Sequence, residues 1–147
     1  MPNLALLLDE LARRNAMEAP RPDADGRFHV VADDDVHVAC FERFGQLCLV
    51  SPLGRVPDDQ TAAAWLRRLL NAALKRMKGS RCTPAVDADG GVVVFARCAL
   101  ADLSVRELET LIEEHVNAHE GYLRAVAQAR APQADLAERF ARQALRP

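Results

Sequence analysis

The sequence predicts an α+β fold, in which an antiparallel sheet carries helices on one side. Short apolar runs joined by tight turns indicate antiparallel strands, because strands with short connections pair in opposite directions. Longer segments that repeat apolar residues every three or four positions indicate amphipathic helices. These segments follow one another in the order α-β-β-β-α-β-β-α, with a helical tail after them. This order is typical of α+β proteins rather than of parallel α/β folds.

Size and composition indicate a single globular domain. The chain has 147 residues, of which 50% are hydrophobic and 27% are charged, and its formal net charge is −2. A chain of this length buries roughly 70% of its unfolded surface, which is enough for a core. We expect one domain over residues 1–128 and a helical tail over 129–147. The weak negative charge argues against a dedicated nucleic-acid-binding protein.

Hydropathy gives an expectation for localisation. The chain has no run of about 18 apolar residues, so we expect no transmembrane helix. The apolar run near the start has no basic region ahead of it and is interrupted by charges, unlike a secretion signal. We therefore expect a cytoplasmic protein.

The first predicted helix covers about residues 3–15. Its apolar side chains recur at helical spacing, with charged residues between them. They are Leu4, Leu7, Leu8 and Leu11. Pro20 and Pro22 end this segment, and the sequence Asp-Ala-Asp-Gly at 23–26 predicts a turn.

Three short strands are predicted next, at residues 28–32, 36–41 and 46–50. Three aspartates separate the first two strands, and Phe44-Gly45 separates the second from the third. Connections this short predict a meander of antiparallel neighbours.

The second predicted helix follows Pro57-Asp58-Asp59, whose aspartates can cap backbone N–H groups and complement the helix dipole. Gly79 ends it. Its wide apolar face consists of Trp65, Leu66, Leu69, Leu70, Ala73, Leu74 and Met77. Its basic residues are Arg67, Arg68, Lys75, Arg76 and Lys78. They could contact RNA or an acidic segment of a partner, although an exposed face that complements the dipole is the simpler interpretation.

A hairpin and a third helix complete the predicted domain. The hairpin strands are expected at 81–86 and 92–98, joined by a turn. Ser104 and Glu107 have the spacing of a capping box, which predicts a helix from there to about residue 128. Its apolar stripe contains Val105, Leu108, Ile112, Val116 and Leu123. Pro132 separates this helix from a weaker one in the tail.

No group of residues predicts catalysis or a bound metal. His115 and His119 lie four residues apart on one helix and could bind zinc together, but no third ligand is evident. We expect a solvated or partly buried pair. The two Asp-Ala-Asp-Gly turns lack the glycine that a calcium loop needs at its sixth position.

Cysteine and serine patterns do not predict an enzyme either. Symmetric hairpin registers would place Cys40 near Cys48 and Cys82 near Cys98, yet we expect buried free thiols, since no CxxC spacing occurs. No serine has a G-x-S-x-G context. We expect no cofactor and no enzymatic activity.

The apolar residues of the first helix and the first two strands leave two interpretations open. They can form the core of the domain, or some of them can line a groove for another chain. An extended polypeptide in such a groove could also pair with a free sheet edge. In the second interpretation the binding residues are Leu4, Leu7, Leu8, Leu11, Phe28, Val30, Val36 and Val38.

Two segments of the chain resemble the class I chaperones of bacterial type III secretion, the Tir chaperone family. In the first segment a strand is followed by Leu53-Gly54, a loop with Pro57-Asp58, and a helix that contains Leu69-Leu70 and Asn71-Ala72. The second segment combines the Asp-x-x-Gly hairpin with the spaced leucines of the last helix. The resemblance covers about residues 3–126.

The resemblance implies a small cytoplasmic homodimer that binds the N-terminal region of a secreted effector and keeps it extended without ATP. The effector would wrap over the first helix and the first sheet, and the secretion ATPase is a further candidate partner. No membrane or nucleic acid is expected to bind. The implied dimer interface lies on the second helix and the strand after it, at Trp65, Leu66, Leu69, Ala73, Cys82 and Pro84. The charge of −2 is smaller than is common in the family, which favours apolar over charge-based recognition.

Two rival functions follow from the same residues. A regulatory adaptor of this fold would bind a folded partner or nucleic acid through the basic end of the second helix. An enzyme that used His115 and His119 would need stoichiometric zinc.

Overall fold

A computed structural model describes residues 3–33 and 35–127 and confirms the α+β fold and the predicted order of elements. The helices are α1 (Leu4–Arg14), α2 (Ala62–Arg76) and α3 (Val105–Ala127). The strands are β1 (Phe28–Ala32), β2 (Val36–Arg43), β3 (Gln46–Arg55), β4 (Thr83–Val86) and β5 (Gly91–Ala99). The predicted helix of the tail lies outside the described residues, so the division of the chain at residue 128 stays a prediction.

The five strands form one antiparallel sheet in the order β1-β2-β3-β5-β4. The predicted meander of β1, β2 and β3 is confirmed by registers such as Val30 opposite Val38 and Cys40 opposite Leu49. The hairpin of β4 and β5 adds to the other side of β3. The edge strands of the sheet are therefore β1 and β4.

Strand β3 is longer than predicted, because the structure continues it through Pro52 and Gly54 to Arg55. Its pairing with β2 ends at Val50, whereas its pairing with β5 continues. Proline lacks an N–H and is tolerated where one side of a strand is unpaired. Gly54 has a φ of 140°, and the register shifts between Pro52 and Gly54, so a β-bulge carries the strand past them.

The core lies between the sheet and the helices, with α3 at its centre. Both α1 and α2 pack against α3, which also contacts β3 and β5. Inward-facing residues of the central strands, such as Val38, Leu49 and Val94, are fully buried. Residues on the opposite face, such as Val50 and Phe95, are only half-buried. The described helices thus cover one face of the sheet.

At the helix starts, one predicted cap is confirmed, and one helix begins a few residues later than predicted. At α3 the Ser104 backbone N–H donates to the Glu107 carboxylate at 2.8 Å, and the Glu107 N–H donates to the Ser104 hydroxyl at 3.2 Å. This confirms the capping box. Helix α2 begins only at Ala62, because the Asp59 carboxylate accepts from the Thr61 N–H and holds a turn ahead of the helix. Among the described helices, none is long and apolar enough to span a membrane.

Candidate functional site

An apolar groove lies between α1 and β1, at one edge of the sheet. It consists of two adjoining depressions of about 230 and 260 Å³. Both are lined by Leu11, Met17, Val30 and Val31. Met17 and Val31 are 48% and 44% exposed, so the groove offers apolar surface that the domain itself does not bury.

The outer edge of β1 runs beside this groove. Pro22 bridges to Phe28, and the Asp23 N–H donates to the Arg27 carbonyl at 2.9 Å, so the start of the edge is covered. Backbone groups alternate sides along a strand. Since the Arg27 carbonyl faces outward, the N–H and C=O groups of His29 and Val31 face the outer edge too. The bridge between Pro22 and Phe28 engages the His29 N–H, so the His29 C=O and both groups of Val31 remain open there. Within residues 3–33 and 35–127, no strand pairs with β1 at that edge beyond Phe28.

Carboxylates surround the groove. Glu18 lines one depression, and Asp33, Glu109 and Glu113 line the other. Glu109 is already engaged, since it accepts from the Asn15 amide at 3.2 Å. The remaining acids give the groove a negative rim beside its apolar surface, which is complementary to basic groups.

The structure divides the predicted client-binding residues between core and groove. Most of them are buried in the domain itself: Leu4, Leu8, Leu11, Val30, Val36 and Val38. Leu7 and Phe28 are partly buried against that core. Of the whole set, only Leu8, Leu11 and Val30 also line the groove.

Sequence reasoning missed the two most exposed apolar residues of the groove. Met17 lies in a polar connection after α1, and Val31 occupies the outward-facing position of β1. The signal for Val31 is the adjacent pair Val30-Val31, which breaks the alternation expected of a strand with one solvated face.

The predicted dimer residues also lie mostly inside the protomer. Trp65, Leu69 and Cys82 are buried, whereas Leu66, Ala73 and Pro84 are half-buried. The exposed apolar residues of α2 are its neighbours Leu70, Leu74 and Met77, at 64%, 66% and 67% exposure. We call these three the α2 stripe. It follows Leu66 at helical spacing, so it forms one face of the helix.

The histidines of α3 form a buried polar cluster rather than the expected solvated or partly buried pair. The Ser51 hydroxyl lies 2.8 Å from His115 Nε2 and 2.8 Å from His119 Nδ1. Cys82 Sγ is 3.9 Å from His115 Nδ1, and the Tyr122 hydroxyl donates to the Cys82 carbonyl at 3.0 Å. Burial, with the nearby His119, lowers the pKa of His115 to about 4, and burial also lowers the pKa of His119. Both rings are therefore neutral at pH 7.

The cluster has the atoms of a nucleophile and a base but no access for a substrate. Ser51 and His115 have no exposed surface and His119 is 5% exposed. In the part of the chain that the structure describes, no three His, Cys, Asp or Glu side chains come together in a way that could hold a metal ion. The four cysteines are free thiols, and the registers place Cys40 opposite Leu49 and Cys48 opposite Phe41. The cluster therefore satisfies polar groups inside the core.

A helix-covered sheet with an open edge strand and an apolar groove beside it is an arrangement to which an extended polypeptide can add. A family model described as the Tir chaperone protein (CesT) family matches residues 6–123. The chain therefore belongs to this family of type III secretion chaperones, whose members bind effectors and are not enzymes. A search of curated proteins found no match.

Solved structures share the fold at low sequence identity. A chain of the HopA1–SchA chaperone–effector complex superposes with a TM-score of 0.66 at 19% identity, covering 81% of this chain and 91% of that one. A chain of the ExsC–ExsE complex gives 0.65 at 19%, covering 82% and 91%. A chain of the ExoU–SpcU complex of the type III secretion system of Pseudomonas aeruginosa gives 0.61 at 17%, covering 84% and 97%.

Proposed function

We propose that this chain is a cytoplasmic chaperone that holds the N-terminal segment of a secreted effector in an extended form along β1. The observation that carries the proposal is the open outer edge of β1 beside the apolar groove. Membership in the chaperone family supports it, as does the description of one structural relative as a chaperone–effector complex.

Two kinds of contact would hold the client. An added strand would pair with the outward C=O of His29 and with the outward N–H and C=O of Val31, and each hydrogen bond contributes about 0.5–1.5 kcal/mol net. Apolar client side chains would cover Met17 and Val31. A fully buried apolar side chain is worth about 1.5–3 kcal/mol, so these half-exposed residues can each contribute about 1 kcal/mol. The client remains unfolded because its backbone and apolar residues are engaged by the chaperone instead of by each other.

The acidic rim adds selectivity to this binding. Glu18, Asp33 and Glu113 surround apolar surface, so a basic residue next to an apolar anchor would meet a carboxylate. Exposed charge pairs contribute little affinity, but they raise the association rate and fix the register of the bound segment. The proposal thus includes charge recognition, which the net charge alone did not predict.

We extend the proposal to a homodimer formed through the α2 stripe. Leu70, Leu74 and Met77 expose about two thirds of their surface, and Val86 of the edge strand β4 is 49% exposed. A symmetric interface buries the same patch of both subunits, which gives such a stripe a partner of matching chemistry. Trp65 and Leu69 would then support the interface from inside the protomer rather than cross it. The dimer with its bound client would then deliver the client to the secretion ATPase. This step predicts that the ATPase co-sediments with the chaperone–client complex but not with the chaperone alone.

The main experiment compares two variants at one backbone position. The effector is first identified by co-purification with the full chain, and the dissociation constant is then measured with its N-terminal region. Val31→Ala removes side-chain contact and keeps the outward N–H. Val31→Pro also removes that N–H, and proline is tolerated on an edge strand whose N–H faces solvent. We expect Val31→Pro to bind about tenfold more weakly than Val31→Ala, with circular dichroism unchanged. Equal affinity of the two folded variants would refute strand addition.

A second pair of variants tests the groove. Met17→Ser removes an exposed apolar residue that lines it, whereas Leu6→Ser removes one that is 65% exposed on α1 outside it. We expect Met17→Ser to weaken client binding about fivefold, the equivalent of about 1 kcal/mol, and Leu6→Ser to change it less than about twofold. Equal losses in the two variants would count against this groove as the client site.

A further inference from the structure

A second groove, of about 380 Å³, lies between α2 and the last turns of α3, and it is strongly basic. Arg68, Lys75, Arg76 and Arg124 line it, and no acidic residue does. Ala72 has a small side chain and Gly121 has none, which lets another chain approach closely. Within the described part of the chain, none of the ion pairs involves any of these four cations. We call this surface the basic groove.

The basic groove and the α2 stripe occupy opposite sides of α2. With about 100° between successive residues, Arg68 and Lys75 lie about 150° and 130° around the helix from the centre of the stripe. Dimerisation through Leu70 and Leu74 would therefore leave the basic groove accessible. The groove is also distant from the client groove, since Ile112 and Gly121 are separated by about 14 Å along α3.

Arg76 is held in place inside the basic groove. Its guanidinium lies over the Tyr122 ring, 5.6 Å from the centroid, and occupies the space that a side chain at position 121 would need. A methyl group at position 121 would clash with Arg76 Nη2. The guanidinium is thus positioned by packing, and among the described residues none accepts a hydrogen bond from it. A planar guanidinium with available N–H groups binds carboxylates in two parallel hydrogen bonds.

We infer that the basic groove binds an acidic segment of a partner protein, with Arg76 as its central contact. The distance from Arg68 to Arg76 along α2 is about 12 Å, which matches about four residues of extended chain. Two or three carboxylates in such a segment would complement the four cations. This site goes beyond the proposed client binding, because the client groove is acidic and would select the opposite charge.

Charge and size decide between the possible occupants. The chain's own residues 128–147 follow α3 directly, but they contain four arginines and only two acids, so their net charge of +2 does not complement the groove. A nucleic acid needs a longer basic surface, usually with aromatic side chains that stack on bases, and the lining of this groove has none. A second copy would bring its own basic groove against this one in a symmetric contact, which like charges oppose.

The test is fluorescence anisotropy of the full chain with a labelled hexaglutamate peptide at low salt. Arg68→Gln/Lys75→Gln removes two cations that line the groove. Arg67→Gln/Lys78→Gln removes two that do not line it, one on α2 and one just after its end, and serves as the matched control. We expect the first pair to weaken peptide binding at least tenfold and the control pair to change it less than twofold. Equal weakening by both pairs, or no binding of the peptide, would overturn the inference.

A third variant tests the role of Arg76 by displacing its guanidinium while the residue itself is kept. Gly121→Ala places a methyl group where the guanidinium now lies, and only the end of a flexible side chain must move. Alanine also favours helix over glycine, so the fold is retained. We expect peptide binding to fall at least fivefold while the melting temperature stays equal or rises. Unchanged peptide affinity in this variant would refute the role of Arg76.

Three further results would assign the groove to another occupant and so overturn the inference. The first is tighter binding of a single-stranded oligonucleotide than of hexaglutamate. The second is a higher peptide affinity of Asp135→Asn/Glu138→Gln, which would indicate that residues 128–147 compete for the groove. The third is a change of sedimentation in Arg68→Gln/Lys75→Gln but not in its control, which would make the groove a contact between copies.

Discussion

The buried histidines predict a loss of stability in mild acid. Burial lowers the pKa of His115 in the folded protein to about 4 from its ordinary value of 6.5. The unfolded chain therefore binds a proton at this site between those values, whereas the folded chain does not. The stability is present above pH 6.5 and is lost as the pH falls toward 4. Between pH 7 and pH 5 linkage gives a loss of about 2 kcal/mol from His115.

The surroundings of the cluster reinforce this direction. His115 contacts Ser51 on β3 and lies near the sulfur of Cys82, and neither group supplies a negative charge to stabilise a protonated ring. His119 shares the Ser51 hydroxyl and also has a lowered pKa because of burial, although the charge of Glu120 opposes this shift. The lowered pKa of His119 therefore makes acid destabilise the fold in the same direction.

Urea denaturation at pH 7 and pH 5 measures the effect. The protein concentration is kept fixed, since association would otherwise change the apparent stability. His115→Gln cannot titrate, so its free energy of unfolding should depend on pH by about 2 kcal/mol less than that of the parent. His37→Gln, which removes an exposed histidine of β2, should retain the full dependence. A parent-like pH dependence in His115→Gln would refute the reasoning.

Three other predictions follow from single contacts. Leu70→Asp should weaken dimerisation, measured by sedimentation, without loss of helicity. Leu69→Asp should instead unfold the domain, because Leu69 is 1% exposed and the new carboxylate would be buried. Parent-like sedimentation of Leu70→Asp would contradict the α2 stripe as the interface. Ser104→Ala should lower the free energy of unfolding by about 1 kcal/mol in urea titration, because the capping box loses its hydroxyl; an unchanged value would show that the cap contributes nothing. Phe44→Asn should raise the melting temperature, because Phe44 is 96% exposed with a φ of 51°, which asparagine adopts more easily; a lower melting temperature would contradict this.

Local patterns were sufficient to predict the order of elements and several of their ends. The spacing of Ser104 and Glu107 predicted the start of α3, and the interaction involves only residues three apart. The end of β3 was missed, because Pro52 was interpreted without knowing that β2 stops pairing at Val50. That information comes from a second strand, so it is absent from any local window of sequence.

The candidate sites depended more strongly on tertiary structure. Helical periodicity groups the apolar residues of α2, but it does not say that Leu69 faces the core and that Leu70 faces solvent. The contacts of Ser51 with His115 and His119 connect residues 64 and 68 positions apart. The pairing of the histidines was visible in the sequence, whereas their burial and their serine partner were not.

The net charge alone does not reveal how charges are distributed over the surface. A charge of −2 suggests weak fields, yet acids gather at the α1–β1 groove and cations gather between α2 and α3. Ile112 and Gly121, which mark the two sites on α3, are about 14 Å apart, more than the screening length of about 8 Å at physiological ionic strength. The two proposed ligands would therefore each experience mainly one of the two fields. Added salt should weaken the binding of the acidic peptide far more than the binding of the client. Client binding also depends on buried apolar surface and on pairing with β1, which salt screens little.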